Sequence, residues 1–148
     1  MARPLDIIER MEQLKSEYET LITISVEDTA AEFGKLNTEQ MYEGQLSTGE
    51  AITPSYSANT VKIKKKKGQP YDRVTLKDTG DFYRGYHLQV ISGELVEDSN
   101  VQYAPVLEKK YSPAIWGLND ANHEEYVNEF LAPDLQAKVS EATGLQHK

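Results

Sequence analysis

The chain has 148 residues, 39% of them apolar and 27% charged, with a formal net charge of −8 and a pI near 4.9. That is roughly one domain of chain, long enough to bury a core. No run reaches the roughly 18 apolar residues of a membrane span, Met1-Ala2-Arg3-Pro4-Leu5-Asp6 lacks the apolar centre of a secretory signal, and the acidic balance argues against a general nucleic-acid binder. The absence of cysteine removes disulfide frameworks, thiolate catalysis and cysteine-based zinc sites. A protein made and used in the cytosol, or in an assembly built there, is expected, with no cofactor and no membrane contact.

Pro4 suits a first helical turn, where its missing N–H has no partner to lose. Ile7, Met11, Leu14, Tyr18 and Leu21 then recur at four-three spacing, which predicts an amphipathic helix over 4–21. Leu21 to Val26 is β-branched and alternating, and reads as a short strand or, preferably, as a continuation of that helix. Asp28 is a candidate cap for a further helix carrying Ala30, Ala31 and Phe33, and Asn37 or Thr38 offers a new cap ahead of Met41 and Tyr42. Residues 1–42 thus form an N-terminal helical segment. Residues 43–73, with Gly44, Gly49, Pro54, Gly68 and Pro70, predict an extended Lys-rich loop, with Val61 and Ile63 as a possible short strand inside it. About thirty residues of loop is long for a compact domain and suggests contacts outside the subunit.

Residues 74–148 form an α+β core. The sequence Val74-Thr75-Leu76-Lys77-Asp78-Thr79-Gly80-Asp81-Phe82-Tyr83 contains a helix start, with Asp78, or Thr79, as N-cap and Asp81 in the first turn. Tyr86, Leu88 and Val90 alternate with His87, Gln89 and Ile91, and Ser92-Gly93 precedes Leu95 and Val96: a hairpin over about 86–97. Tyr103, Val106, Leu107 and Tyr111 follow at helical spacing, with Pro105 in the first turn and Ser112-Pro113 as the stop. A last helix begins after Asn119 or Asp120, buries Tyr126, Val127, Phe130 and Leu131, is interrupted at Pro133, and continues through Leu135, Val139 and Ala142 to a cap at Gly144. The fold class expected is α+β: a small antiparallel sheet packed with N-terminal and C-terminal helices, all in one domain.

Asp78-Thr79-Gly80 is also the tripeptide of aspartic proteases, and Ile115-Trp116-Gly117 resembles the element that retroviral-type enzymes pair with it. That chemistry needs two carboxylates sharing one proton, hence a dimer of so short a chain, in a buried loop. Asp78 is instead flanked by Lys77 and Asp81, whose burial without partners costs several kcal/mol. Only residues 81–114 separate the two elements, and helices and one hairpin fill them rather than a barrel. The helix-start reading is preferred, and no catalytic residue is assigned. His123 precedes Glu124 and Glu125 without the second histidine of a zinc motif, and His87 and His147 read as ordinary structural or exposed residues. No metal site is expected.

Lys62, Lys64, Lys65, Lys66 and Lys67 put five positive charges into six residues, so the net −8 becomes −13 for the remainder. The run has three readings: a solvated loop, docking onto an acidic face of a neighbouring copy or partner, and salt-sensitive phosphate contact. With Tyr56, these lysines are the partner-contact candidates.

Leu76-Lys77-Asp78-Thr79-Gly80-Asp81-Phe82-Tyr83 resembles the Leu-x-Asp-Thr-Gly-x-Leu segment of bacteriophage neck and tail-completion proteins, the virion-morphogenesis or head–tail connector family. Tyr103-Ala104 is similar to that family's Tyr-Ala element after the hairpin, and Tyr111 to Leu118, with Trp116, to its aromatic and proline-containing stretch. The likeness spans about residues 70–142, with Leu76, Asp78, Thr79, Gly80, Asp81, Phe82, Tyr103, Ala104 and Trp116 as its structural motif. Phe82-Tyr83 stands where aliphatic residues are more usual, and the N-terminal helical part has no counterpart. The resemblance implies a non-enzymatic virion protein: a homo-oligomeric ring of twelve or six copies between portal or adaptor ring and tail proteins, passing DNA without reading its sequence. The alternative is a small mobile-element module contacting nucleic acid or an acidic partner through Lys62 to Lys67.

Overall fold

A computed structural model of the chain describes residues 4–143, with side chains from 6 to 142. The cap expected at Gly144 and His147 lie outside the described residues. The class is α+β as expected: among the described residues there are seven α-helices and one two-stranded antiparallel sheet.

Helix α1 (Pro4–Asp28) runs straight through the ambiguous Leu21–Val26 stretch, and after a break at Thr29 comes α2 (Ala30–Tyr42). Two expected caps are corrected here. Asp28 ends α1 and pairs with Lys138 at 2.8 Å, while Thr29 occupies the N-cap position and spends its hydroxyl on Ser25 O and on the Tyr126 hydroxyl, each at 2.7 Å. Neither Asn37 nor Thr38 starts a helix; both lie inside α2, with Asn37 fully buried.

The 43–73 segment is also corrected. It is not loop throughout: Ala58–Lys67 is a helix, α3, and Val61 and Ile63 belong to it rather than to a strand. Around it, Gly44 and Gly49 turn a tight loop closed by a Gln45–Ala51 bridge, which drops Leu46 and Ile52 into the core.

The short helix α4 (Asp81–Arg84) leads into β1 (Tyr86–Ile91) and β2 (Glu94–Ser99), paired from Tyr86–Ser99 to Ile91–Glu94. Ser92 and Gly93 both have positive φ, 51° and 78°, the two-residue turn whose twist matches paired strands. Helix α5 (Ala104–Tyr111) and a 3₁₀ turn (Pro113–Ile115) follow. Helix α6 (Asp120–Tyr126) is capped by the Asn119 side chain, which accepts from Asn122 N–H at 2.9 Å. The interruption expected at Pro133 falls before it: a wide π turn spans Val127–Leu131, and Pro133 lies in the first turn of α7 (Ala132–Thr143). The wider turn relieves the clash a proline ring makes with the carbonyl four residues back.

Two apolar clusters hold these elements, and α2 belongs to both. Phe33 and Leu36 join Val26, Leu88 and Tyr126, with Phe33 and Tyr126 edge to face at 5.0 Å; Met41 joins Leu46, Ile52, Val74, Leu76, Phe82, Ala104, Tyr111 and Ile115. Between them the polar side chains of α2 grip the 115–122 segment. Asn37 donates to Ile115 O at 2.9 Å and accepts from Gly117 N–H at 3.0 Å; Gln40 donates to Gly117 O at 3.0 Å and accepts from Asn119 N–H at 2.8 Å and from the Asn122 amide at 3.0 Å. Gly34 lets β1 approach, since a Cβ there would lie 2.5 Å from the Tyr86 ring.

Candidate interaction surface

Helix α3 forms despite its charge because both ends are made for it. The Ser57 hydroxyl accepts from Thr60 N–H at 3.2 Å, Gly68 closes the helix with φ 69°, and Lys64 to Lys67 occupy the last turn, where cations suit the negative end of the dipole. Its lysines have separate environments. Lys64 is buried, donating to Lys77 O at 3.0 Å with its ammonium 4.9 Å from the Tyr56 ring centre. Lys65 lies over the Tyr71 ring at 4.8 Å, and Lys67 pairs with Asp78 at 2.9 Å. Lys62 and Lys66 face solvent. Tyr56 is half-buried and directed inward, its hydroxyl accepting from Thr75 N–H at 2.9 Å.

The Asp-Thr-Gly segment packs beside α3, and its expected cap is corrected. Gly80, at φ 90°, is the N-cap of α4, and no side chain caps from that position. Asp78 lies outside the helix, its exposed carboxylate accepting from Lys67 and from Gln69. The Thr79 hydroxyl accepts from Asp81 N–H at 3.3 Å, and Asp81 pairs with Arg84. The bonds from Lys67 and Gln69 hold the Asp78 carboxyl below its ordinary pKa. Asp81 is also lowered, by its bonds with Thr79 and Arg84.

The other motif residues converge on one cluster. Leu76, Phe82 and Ala104 are buried in it; Phe82 stacks on Tyr103 at 6.4 Å and meets Trp116 at 5.3 Å, and the Trp116 indole donates to Glu108 at 2.6 Å. Tyr83 donates to Thr75 O, and burial pushes its phenol upward. His87 lies in β1 with Nδ1 3.3 Å from Gly85 O, and His123 is exposed on α6. Among the described residues no group of metal-ligating side chains forms, and no helix is long and apolar enough to cross a membrane.

Two surface features follow from this packing. An open groove of about 440 Å³ runs between α3 and α5, walled by Tyr56, Lys64, Leu76, Tyr103, Leu107 and Tyr111, with Lys77, Asp78, Thr79 and Asp81 on its rim. Sequence reasoning missed it because its walls come from three separated segments; only the helical spacing of Tyr103, Leu107 and Tyr111 hinted at one wall. The second feature is the apolar stripe of α1. Residues 6–20 are all exposed, including Ile7 at 51%, Met11 at 63%, Leu14 at 50% and Tyr18 at 51%. The amphipathic spacing is there, with the stripe left uncovered.

A scan against protein-family models, a search of curated proteins and a search of solved structures each returned no match.

Proposed function

We propose that this chain is a structural subunit of a bacteriophage virion: one copy of a homo-oligomeric ring, of twelve or six copies, in the neck between portal or adaptor ring and tail proteins. The ring assembles in the host cytoplasm, and DNA passes through it without sequence-specific contact. The observation that carries the subunit reading is the uncovered α1 stripe, four large apolar side chains at least half exposed along one face. Apolar surface so arranged marks a site meant for another macromolecule. What favours this assembly is the resemblance: a segment opening a helix at Asp-Thr-Gly, a hairpin, a Tyr-Ala element opening a helix, and a C-terminal helix follow in the order read for that family. The net charge of −8 suits a passage that must not hold DNA, because a negative wall repels the duplex.

The proposed role is mechanical and needs no cofactor and no catalytic residue. Light scattering on the purified chain, alone and with portal complex, tests it: a mass of many copies, with rings in electron micrographs, is expected. A chain that stays monomeric with portal complex present overturns the reading.

The exposed lysines of α3 favour one second reading, a small mobile-element module that contacts nucleic acid through Lys62, Lys65 and Lys66. It requires DNA retention that falls steeply with salt and is lost in Lys62→Ala/Lys65→Ala/Lys66→Ala. The ring reading predicts no such retention.

A further inference from the structure

We infer that the α1 stripe of one copy seats in the α3–α5 groove of a neighbouring copy, so that each subunit gives one helix and receives another. This deepens the ring reading and rests on it. On the same molecule the α1 stripe is uncovered and the groove stands open, its floor made by the buried Leu76 and Tyr111 and its flank by Tyr103, 46% exposed. The donor is the segment 6–20, about 22 Å of helix at 1.5 Å per residue, with Ile7, Met11, Leu14 and Tyr18 along one face. The acceptor is the groove, whose apolar walls are Leu76, Tyr103, Leu107 and Tyr111, with Val106 of α5 64% exposed nearby in the chain. Laying an amphipathic helix into such a groove is a common mode of recognition.

Charge selects the pairing. Segment 6–20 carries five acids, Asp6, Glu9, Glu12, Glu17 and Glu19, against Arg10 and Lys15, a net of −3. Helix α3, one bank of the groove, carries five lysines and no acid. The two carboxylates on the rim are already matched, Asp78 by Lys67 and Asp81 by Arg84. Lys64 is buried, donating to the Lys77 and Gln69 oxygens and facing Asp78, whereas Lys77 is exposed over the rings of Tyr42 and Tyr83. The exposed Lys62, Lys65 and Lys66 of α3, with Lys77 on the rim, give this bank of the groove the positive charge to meet an acidic helix.

The two surfaces are also rooted in different places. Helix α1 joins the body through Val26 in one apolar cluster, whereas the groove is built on Leu76 and Tyr111 of the other. A contact between two different patches is heterologous, and repeated by rotation it closes a ring in which every stripe and every groove is filled.

The absence of cysteine permits a direct test on the full chain. Under oxidising conditions the double variant Leu14→Cys/Leu107→Cys is expected to give a ladder of cross-linked species beyond dimer, and each single variant none. Met11→Glu, at a position 63% exposed, is expected to keep the melting temperature and weaken self-association at least tenfold. Efficient dimers from Leu14→Cys alone would mean that α1 pairs with α1, and would overturn the inference. So would an absent ladder, or unweakened association of Met11→Glu, in a chain that light scattering shows to be multimeric; the ring reading survives either result. A chain monomeric throughout removes both.

Discussion

Replacing Asn37 with alanine removes the buried clamp between α2 and the 115–117 turn. Its side chain is fully buried and makes two hydrogen bonds, to Ile115 O at 2.9 Å and from Gly117 N–H at 3.0 Å. Alanine leaves both backbone groups without that partner, and an orphaned buried polar group costs about 1–3 kcal/mol. Ile115 is fully buried, so its carbonyl bears the whole cost; Gly117 is partly exposed, so water recovers some of the second. The expected loss is about 2–4 kcal/mol, a large share of the roughly 5–15 kcal/mol typical of a domain. With a urea m-value of about 1–3 kcal/mol/M, the midpoint falls by roughly 1–2 M. Trp116, the sole tryptophan, lies between the two clamped residues and reports the transition by fluorescence. Asn37→Asp supplies a second arm. Its carboxylate still accepts from Gly117 but repels Ile115 O, so it is expected to be less stable than alanine at neutral pH and to gain on alanine as acid restores a donor. A loss under about 0.5 kcal/mol for Asn37→Ala, or no relative gain of Asn37→Asp in acid, refutes the clamp.

Gly34→Ala is expected to destabilise the protein by about 1–3 kcal/mol in thermal melts, against a helix-propensity gain of about 1 kcal/mol; the Tyr86 ring that a Cβ meets is held by Trp116 at 5.9 Å and by a 3.0 Å bond to Glu97. Gly80→Ala is expected to cost about 1–2 kcal/mol, because φ is 90°. Asp78→Ala is expected to cost about 0–1 kcal/mol, as for a surface ion pair, and equal losses at the two positions contradict the assignment of Gly80 rather than Asp78 as the cap. Burial raises the Glu97 carboxyl above its ordinary pKa, against the lowering effect of the Tyr86 hydroxyl. Its folded form therefore binds protons more readily than its unfolded form, and this contribution to stability is present below the ordinary carboxylate value and lost as pH rises through the folded value. Glu97→Gln is expected to gain on the wild type across that window in denaturant titrations; a constant difference refutes it.

What was legible in the sequence is what local chemistry decides. The hairpin follows from period-two alternation around Ser92-Gly93, α5 from Tyr103-Ala104-Pro105, and α6 from its Asn119 cap. Helix α3 is obscured by the glycines and prolines on either side of it, which read as loop, although Ser57 and Gly68 carry both end signals and lysine is a good helix former. Asn37 and Asp78 were read as caps because caps are the local use of such residues. The partners of Asn37 lie 78 and 80 residues away, and Asp78 is taken by Lys67 and Gln69 across the turn. The groove was out of reach for the same reason. The α1 stripe was visible as a pattern, but periodicity does not say whether a face is covered by the same chain or by another.

The measurement closest to the central claim is averaged imaging of the neck of the intact phage particle in which this chain is proposed to sit. A closed ring of identical copies between portal and tail, with α1 of each copy laid against the next, is the predicted result. A neck fully accounted for by other chains, with no density for this one, contradicts the account.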